Sequence, residues 1–137
     1  ARFYANPNSA TVTTTAMPIF VGLTGTNGNV FTVELRKYKG AYQVSGVVTR
    51  SGGATATGWY TISGSSFTVI EIAWQSGASA SFSLYTGGTL RQRLTGLATS
   101  GLTLESVRLG PQGGLSSVSG TLYFDSFASN RSSYIGL

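Results

Sequence analysis

Apolar side chains recur at every second position along most of this chain, and the period is clearest between Phe67 and Leu97. Thr68, Ile70, Ile72 and Trp74 alternate with Val69, Glu71 and Ala73, the pattern of a strand with one face on a core and the other in water. On that pattern Glu71 belongs to the wet face. The small residues of Gln75 to Ala80 turn the chain, Phe82 and Leu84 then alternate with Ser83 and Tyr85, and Gly87-Gly88 supplies the positive φ angles of a two-residue hairpin turn. Leu90, Gln92 and Leu94 bring the chain back, so the stretch predicts three antiparallel strands.

The rest of the chain reads in the same way. Ala1 to Tyr4 is a short apolar strand stopped by Asn6-Pro7-Asn8, Thr11 to Thr15 is a β-branched run suited to an edge strand, and Ile19 to Leu23 is apolar enough to be buried. Thr24 to Asn29 is a turn. Phe31, Val33 and Leu35 alternate with Thr32, Glu34 and Arg36, and a hairpin around Lys39-Gly40 leads to Tyr42, Val44 and Val47 to Thr49. Ser51 to Gly58 reads as a loop and Trp59 to Ile62 as a short strand. Leu102 and Leu104 fall on one face and Val107 and Leu109 on the other, a change of phase that predicts a β-bulge near Glu105-Ser106. Gly110 to Ser119 is a loop, and Thr121 to Phe127 is the last strand. About ten to twelve short strands with turn signals between them predict an all-β fold, a two-sheet antiparallel β-sandwich occupying residues 1–137 as one domain.

Composition sharpens this picture. Of 137 residues 19 are Gly and only 9% are charged, and no segment carries helix formers at a 3.6-residue spacing. A chain of this length buries roughly two-thirds of its unfolded surface, enough for a core without disulfides or metal. Nine Lys and Arg face four carboxylates, Glu34, Glu71, Glu105 and Asp125, for a net charge of +5. The densest positive runs are Arg36-Lys37 with Lys39, and Arg91 with Arg93; they are scattered and accompany no nucleic-acid motif, so nucleic acid is not expected as a partner. Weak attraction to anionic polysaccharide or to an acidic envelope fits the balance better. The chain has no Cys and no His, which removes thiol chemistry, His-based triads and the usual transition-metal ligands. No apolar run is long enough to cross a membrane, and no cofactor is expected.

Five pieces of the sequence, VFTVELRKYKGAYQV, WYTISGSSFTVIEIAW, SFSLYTGGTLRQRLTGL, LESVRLGPQGG and SGTLYFDSFASNRSSYIGL, resemble laminin-G-like, concanavalin A-like jelly-roll modules of large bacterial cell-surface proteins. The resemblance runs from Arg2 through nearly the whole chain. It is carried by Trp74 closing its strand, the hairpin after it, Val107 to Gly110, and Tyr123 to Phe127 before the Tyr-Ile-Gly ending. It implies two stacked antiparallel sheets and binding or structural work in place of catalysis, while the low-charge, Ser/Thr/Gly-rich composition points to an extracellular setting. Gly87-Gly88 stands where related modules often carry Asp-Gly, and four acids are too few to carry over an acidic calcium cluster.

Candidate chemistry is sparse. Glycoside hydrolysis needs two carboxylates flanking the scissile bond; Glu71, with Glu34 and Glu105 behind it, has no second acid two residues away on its face. Asp125 beside Ser126 and Asn130 is too few oxygens for calcium, which takes six to eight; turn capping or pairing with Arg108 or Arg131 suits it better. Asn130-Arg131-Ser132 matches a glycosylation sequon. Trp59, Tyr60 and Tyr85, with Tyr123, could stack on sugar rings, Trp59 foremost because it follows a glycine-rich loop. Between Ala1 and Leu23 the only charge is Arg2, and uncharged strands invite pairing with another chain. Phe3, Thr11, Val12, Thr13, Thr14 and Thr15 are therefore the candidate self-association segment. The expectation is a non-catalytic extracellular structural protein whose copies associate into a surface filament or layer; the alternative is a carbohydrate-binding adhesion module of a cell surface.

Overall fold

The computed structural model describes residues 1–25, 28–113 and 115–136. The described residues form eleven strands: β1 (Arg2–Asn6), β2 (Met17–Thr24), β3 (Gly28–Tyr38), β4 (Ala41–Arg50), β5 (Gly53–Ala56), β6 (Tyr60–Ile62), β7 (Thr68–Gln75), β8 (Ala80–Thr86), β9 (Thr89–Leu97), β10 (Ser106–Leu109) and β11 (Tyr123–Ala128). The first sheet runs β11-β1-β7-β8-β9 and the second β10-β2-β3-β4-β5, with β6 also on β4. Every pairing is antiparallel. The chain is a two-sheet antiparallel β-sandwich, compatible with a jelly roll. Among the described residues no helix is long and apolar enough to cross a membrane.

The inward rows follow the period of two except at the β2–β3 register shift, where the consecutive Ile19 and Phe20 both turn inward. Phe3, Ile70, Ile72, Phe82 and Leu84 from the first sheet meet Ile19, Phe20, Phe31, Val33, Leu35, Val44 and Val48 from the second, all buried. Phe3 packs 5.1 Å from Phe20, and Phe31 lies 6.2 Å from both Phe82 and Trp74. At the closest approach of the sheets, Gly46 of β4 leaves room for Phe82: a Cβ there would sit 2.4 Å from the ring. The hairpin turns form as their residues dictate. Gly87 and Gly88 have φ of 60° and 74°, and Lys39-Gly40 makes the same turn with φ of 49° and 83°, Lys39 without glycine's freedom.

The structure corrects several expectations. Ser51 to Gly58 is not all loop, because Gly53–Ala56 pairs with β4. The phase change at Glu105-Ser106 is where β10 begins; Leu102 and Leu104 lie outside any strand. Thr24, Gly28 and Asn29, expected in a turn, pair at the ends of β2 and β3; a turn is described at Gly25, and residues 26 and 27 lie outside the described residues. Thr11 to Thr15 forms no strand: the segment carries the chain from the first sheet to the second, so its backbone partners are isolated ones, a bridge to Ser119 and the Lys37 N–H donated to the Thr13 carbonyl. Val12 is buried and Thr14 and Thr15 are exposed. Phe3 is fully buried on β1, an interior strand between β7 and β11.

Candidate functional site

Two surfaces gather chemistry, one on the outer face of each sheet. On the first sheet, alternation sends Arg2, Glu71, Ala73, Gln75, Ser81, Ser83, Tyr85 and Arg93 outward, in register across β1, β7, β8 and β9. After β11 the chain crosses back over this face. The Ile135 and Gly136 N–H groups donate to the two oxygens of Glu71, at 2.9 and 3.2 Å, Arg2 donates to the Gly136 carbonyl, and the Tyr134 ring packs 4.6 Å from that of Tyr85. Glu71 is consequently only 3% exposed. The expectation that it faces water fails because a strand period shows which side of a sheet a residue occupies and not what later covers that side.

Between this crossing segment and the sheet lies an open cleft of about 730 Å³. Tyr85, Tyr134 and Trp74 line it together with Ser81, Ser83 and Arg93. Trp74 is half-buried at the mouth of the sandwich, and its indole N–H finds no partner among the described residues. The cleft's volume is in the range of ligand sites, and aromatic, hydroxyl and guanidinium groups line it. Glu71 and Glu105 both line it, but both Glu71 oxygens are taken by backbone donors. Burial lowers the pKa of the Ala1 ammonium, also at this cleft, and nearby Glu71 opposes that shift.

The second surface is the outer face of the second sheet near the β3–β4 turn. Arg36, Gln43 and Thr61 lie in one row across β3, β4 and β6. The Arg36 Nε–H donates to Gln43 Oε1 at 3.0 Å, and its guanidinium lies 4.0 Å from the Trp59 ring and 4.8 Å from the Tyr38 ring. Lys39 lies 5.4 Å from the same Tyr38 ring. Glu34, two residues before Arg36, is half-buried, and desolvation raises its pKa.

The aromatic trio read from the sequence is therefore divided. Tyr85 belongs to the cleft, Trp59 to the outer face of the second sheet, and Tyr60 to neither. The Tyr60 ring packs against the core and its hydroxyl donates to Gln92, which is paired with the inward-facing Leu84. Sequence reasoning missed Tyr134, whose place over Tyr85 depends on where the last segment crosses. It also passed over Tyr38, although the Arg-Lys-Tyr-Lys run was the available signal. Asp125 accepts the Ser126 N–H inside β11, where Ser126 has a φ of 51° and the β1–β11 register shifts, so it caps no turn. Among the described residues, no three of His, Cys, Asp and Glu gather where they could hold a metal ion. Comparison of the chain with family models, with curated proteins and with solved structures finds no match in any of the three.

Proposed function

We propose that the chain is a non-catalytic, extracellular carbohydrate-binding module of the laminin-G-like, concanavalin A-like kind. The observation that carries this reading is the cleft on the first sheet, where Tyr85 and Tyr134 stand beside Ser81 and Arg93, with the half-buried Trp74 and the buried Ser83 also in its lining. Aromatic faces pack on the apolar side of a pyranose while hydroxyls and a guanidinium meet its polar rim. The engagement of both Glu71 oxygens by backbone N–H groups supports the non-catalytic part, because a glycosidase needs two carboxylates free to act on the bond. The test is calorimetry against a panel of neutral oligosaccharides, with Tyr85→Ala as the variant. Loss of several-fold in affinity is expected, matching about 0.5–1.5 kcal/mol for one aromatic packing contact; full affinity in Tyr85→Ala, or no binding across the panel, would count against the cleft.

A second reading, self-association into a surface filament or layer, is favoured by one edge. β9, β10 and β11 carry Arg91 and Arg93, Arg108, and Asp125, whereas β5 and β6 at the other edge of the second sheet carry no charge. Uncharged edges are open to pairing with another chain. Light scattering that finds assemblies in the native protein and monomers in Ala56→Lys would support it; monomers throughout would remove it.

A further inference from the structure

We infer that the outer face of the second sheet carries a separate binding site for an acidic saccharide, centred on Arg36. It stands on its own observations and does not depend on the cleft. Arg36 is a cation held still without being neutralised: among the described residues its partners are the Gln43 amide and the faces of Trp59 and Tyr38, none of them an acid. Only its Nε–H is used by Gln43, so the Nη donors along the other edge of the guanidinium are left for a ligand. A planar guanidinium fixed in this way offers the parallel donor pair that a carboxylate or sulfate accepts at two oxygens. Ordering a long arginine side chain ordinarily opposes binding; here the rings and Gln43 have already ordered it.

The surroundings argue for a saccharide. Lys39, on the turn beside Tyr38, places a second positive charge near the first, as a chain with repeated acidic groups requires. Tyr38 is 41% exposed, which leaves ring surface for a sugar. The row Arg36, Gln43 and Thr61 adds amide and hydroxyl groups on a flat sheet surface, where a polysaccharide can lie across the strands. The net charge of +5 favours such a polyanion at long range.

The experiment titrates an oligogalacturonate, its carboxyl-reduced neutral counterpart and an oligothymidylate into the native chain and three variants, Arg36→Gln, Arg36→Lys and Lys39→Asn. The uronate is expected to bind saturably and more weakly as salt rises, and the reduced oligosaccharide at least tenfold more weakly. Arg36→Gln and Arg36→Lys should both lose most of the affinity, since lysine keeps the charge but not the paired donors. Lys39→Asn should weaken binding several-fold while raising the unfolding temperature, because asparagine tolerates the left-handed backbone at this position better than lysine. Opposite signs for binding and stability separate the charge effect from damage to the fold. Equal binding of the reduced sugar, native affinity in Arg36→Lys or Arg36→Gln, tighter binding of the oligothymidylate, or no saturable uronate binding would each overturn the inference.

Discussion

Replacing Glu71 by Gln tests whether the last segment is held to the first sheet as described. The carboxylate receives the Ile135 N–H at 2.9 Å and the Gly136 N–H at 3.2 Å. An amide offers one carbonyl oxygen to these two donors and turns an NH2 group toward the other. One bond is lost outright and the survivor loses its charge assistance. Hydrogen bonds to charged groups contribute about 1.5–3 kcal/mol each, so the local cost is about 2–4 kcal/mol. The segment can instead lift into water and re-satisfy its N–H groups, which caps the cost to global stability at the free energy of docking the segment. The Tyr134–Tyr85 packing and the Arg2 contact remain to oppose lifting. Amide hydrogen exchange at Ile135 and Gly136 is therefore the decisive assay: loss of about 2 kcal/mol of local protection speeds exchange about thirtyfold. The global unfolding temperature should drop by only a few degrees. Unchanged exchange at both amides in Glu71→Gln would refute the role given to this carboxylate.

Three further outcomes follow from the packing and the charges. Gly46→Ala drives a methyl to within 2.4 Å of the buried Phe82 ring; overpacking of this kind costs about 1–3 kcal/mol, so the unfolding temperature should fall by about 4–12 °C, and an unchanged midpoint would contradict the close approach of the sheets there. Glu34 has a pKa raised above its ordinary 4.5 by burial; the folded state thus holds its proton more tightly than the unfolded one, and the stability this gives below 4.5 is lost as pH rises through the raised value. Glu34→Gln should accordingly melt higher than the native chain at neutral pH and alike well below 4.5, and no difference at neutral pH would contradict the burial. Deleting residues 1–15 removes β1 from between β7 and β11 and takes Phe3, Ala5, Ala10 and Val12 from the core; cooperative unfolding should disappear, since truncating one buried Phe already costs about 3–5 kcal/mol. A deleted chain that folds but no longer assembles would instead favour the self-association role of Phe3 and Thr11 to Thr15.

Most of the architecture was legible because strand period and turn chemistry are local. Gly87-Gly88 requires a backbone that few other residues adopt, and the alternation of Ile70 and Ile72 with Glu71 requires a sheet with an inner face; neither depends on distant contacts. The edge order did depend on them. A β-branched, uncharged run such as Thr11 to Thr15 has the composition of an edge strand, yet a segment passing between two sheets has no continuous neighbour to pair with. The interior place of β1 is a property of the partners that flank it. Gly53–Ala56 was hidden for the opposite reason: its Gly and Ala carry little strand preference, and β4 supplies the pairing.

The two candidate surfaces were legible only in part. Tyr85 and Trp59 were recognisable as aromatic candidates, but their grouping with Tyr60 failed because one alternation phase places Tyr60 inward and its neighbour Trp59 outward. The cleft needs Tyr134, which lies 49 positions after Tyr85 and meets it only when the segment after β11 recrosses the sheet. The Arg36 stack joins β3 to the residue preceding β6 in the same way. Each is a tertiary coincidence of residues whose local sequence carries no sign of the other.

The most direct measurement is a backbone amide NMR titration of the native chain with the neutral oligosaccharide that binds best in calorimetry. The carbohydrate-module account expects saturable shifts at Ser81, Ser83 and Tyr85 on the outer face of the first sheet, at Tyr134 packed over Tyr85, and at the half-buried Trp74 that also lines the cleft. Shifts confined to β5 and β6, or no saturable shift at the cleft, would contradict it.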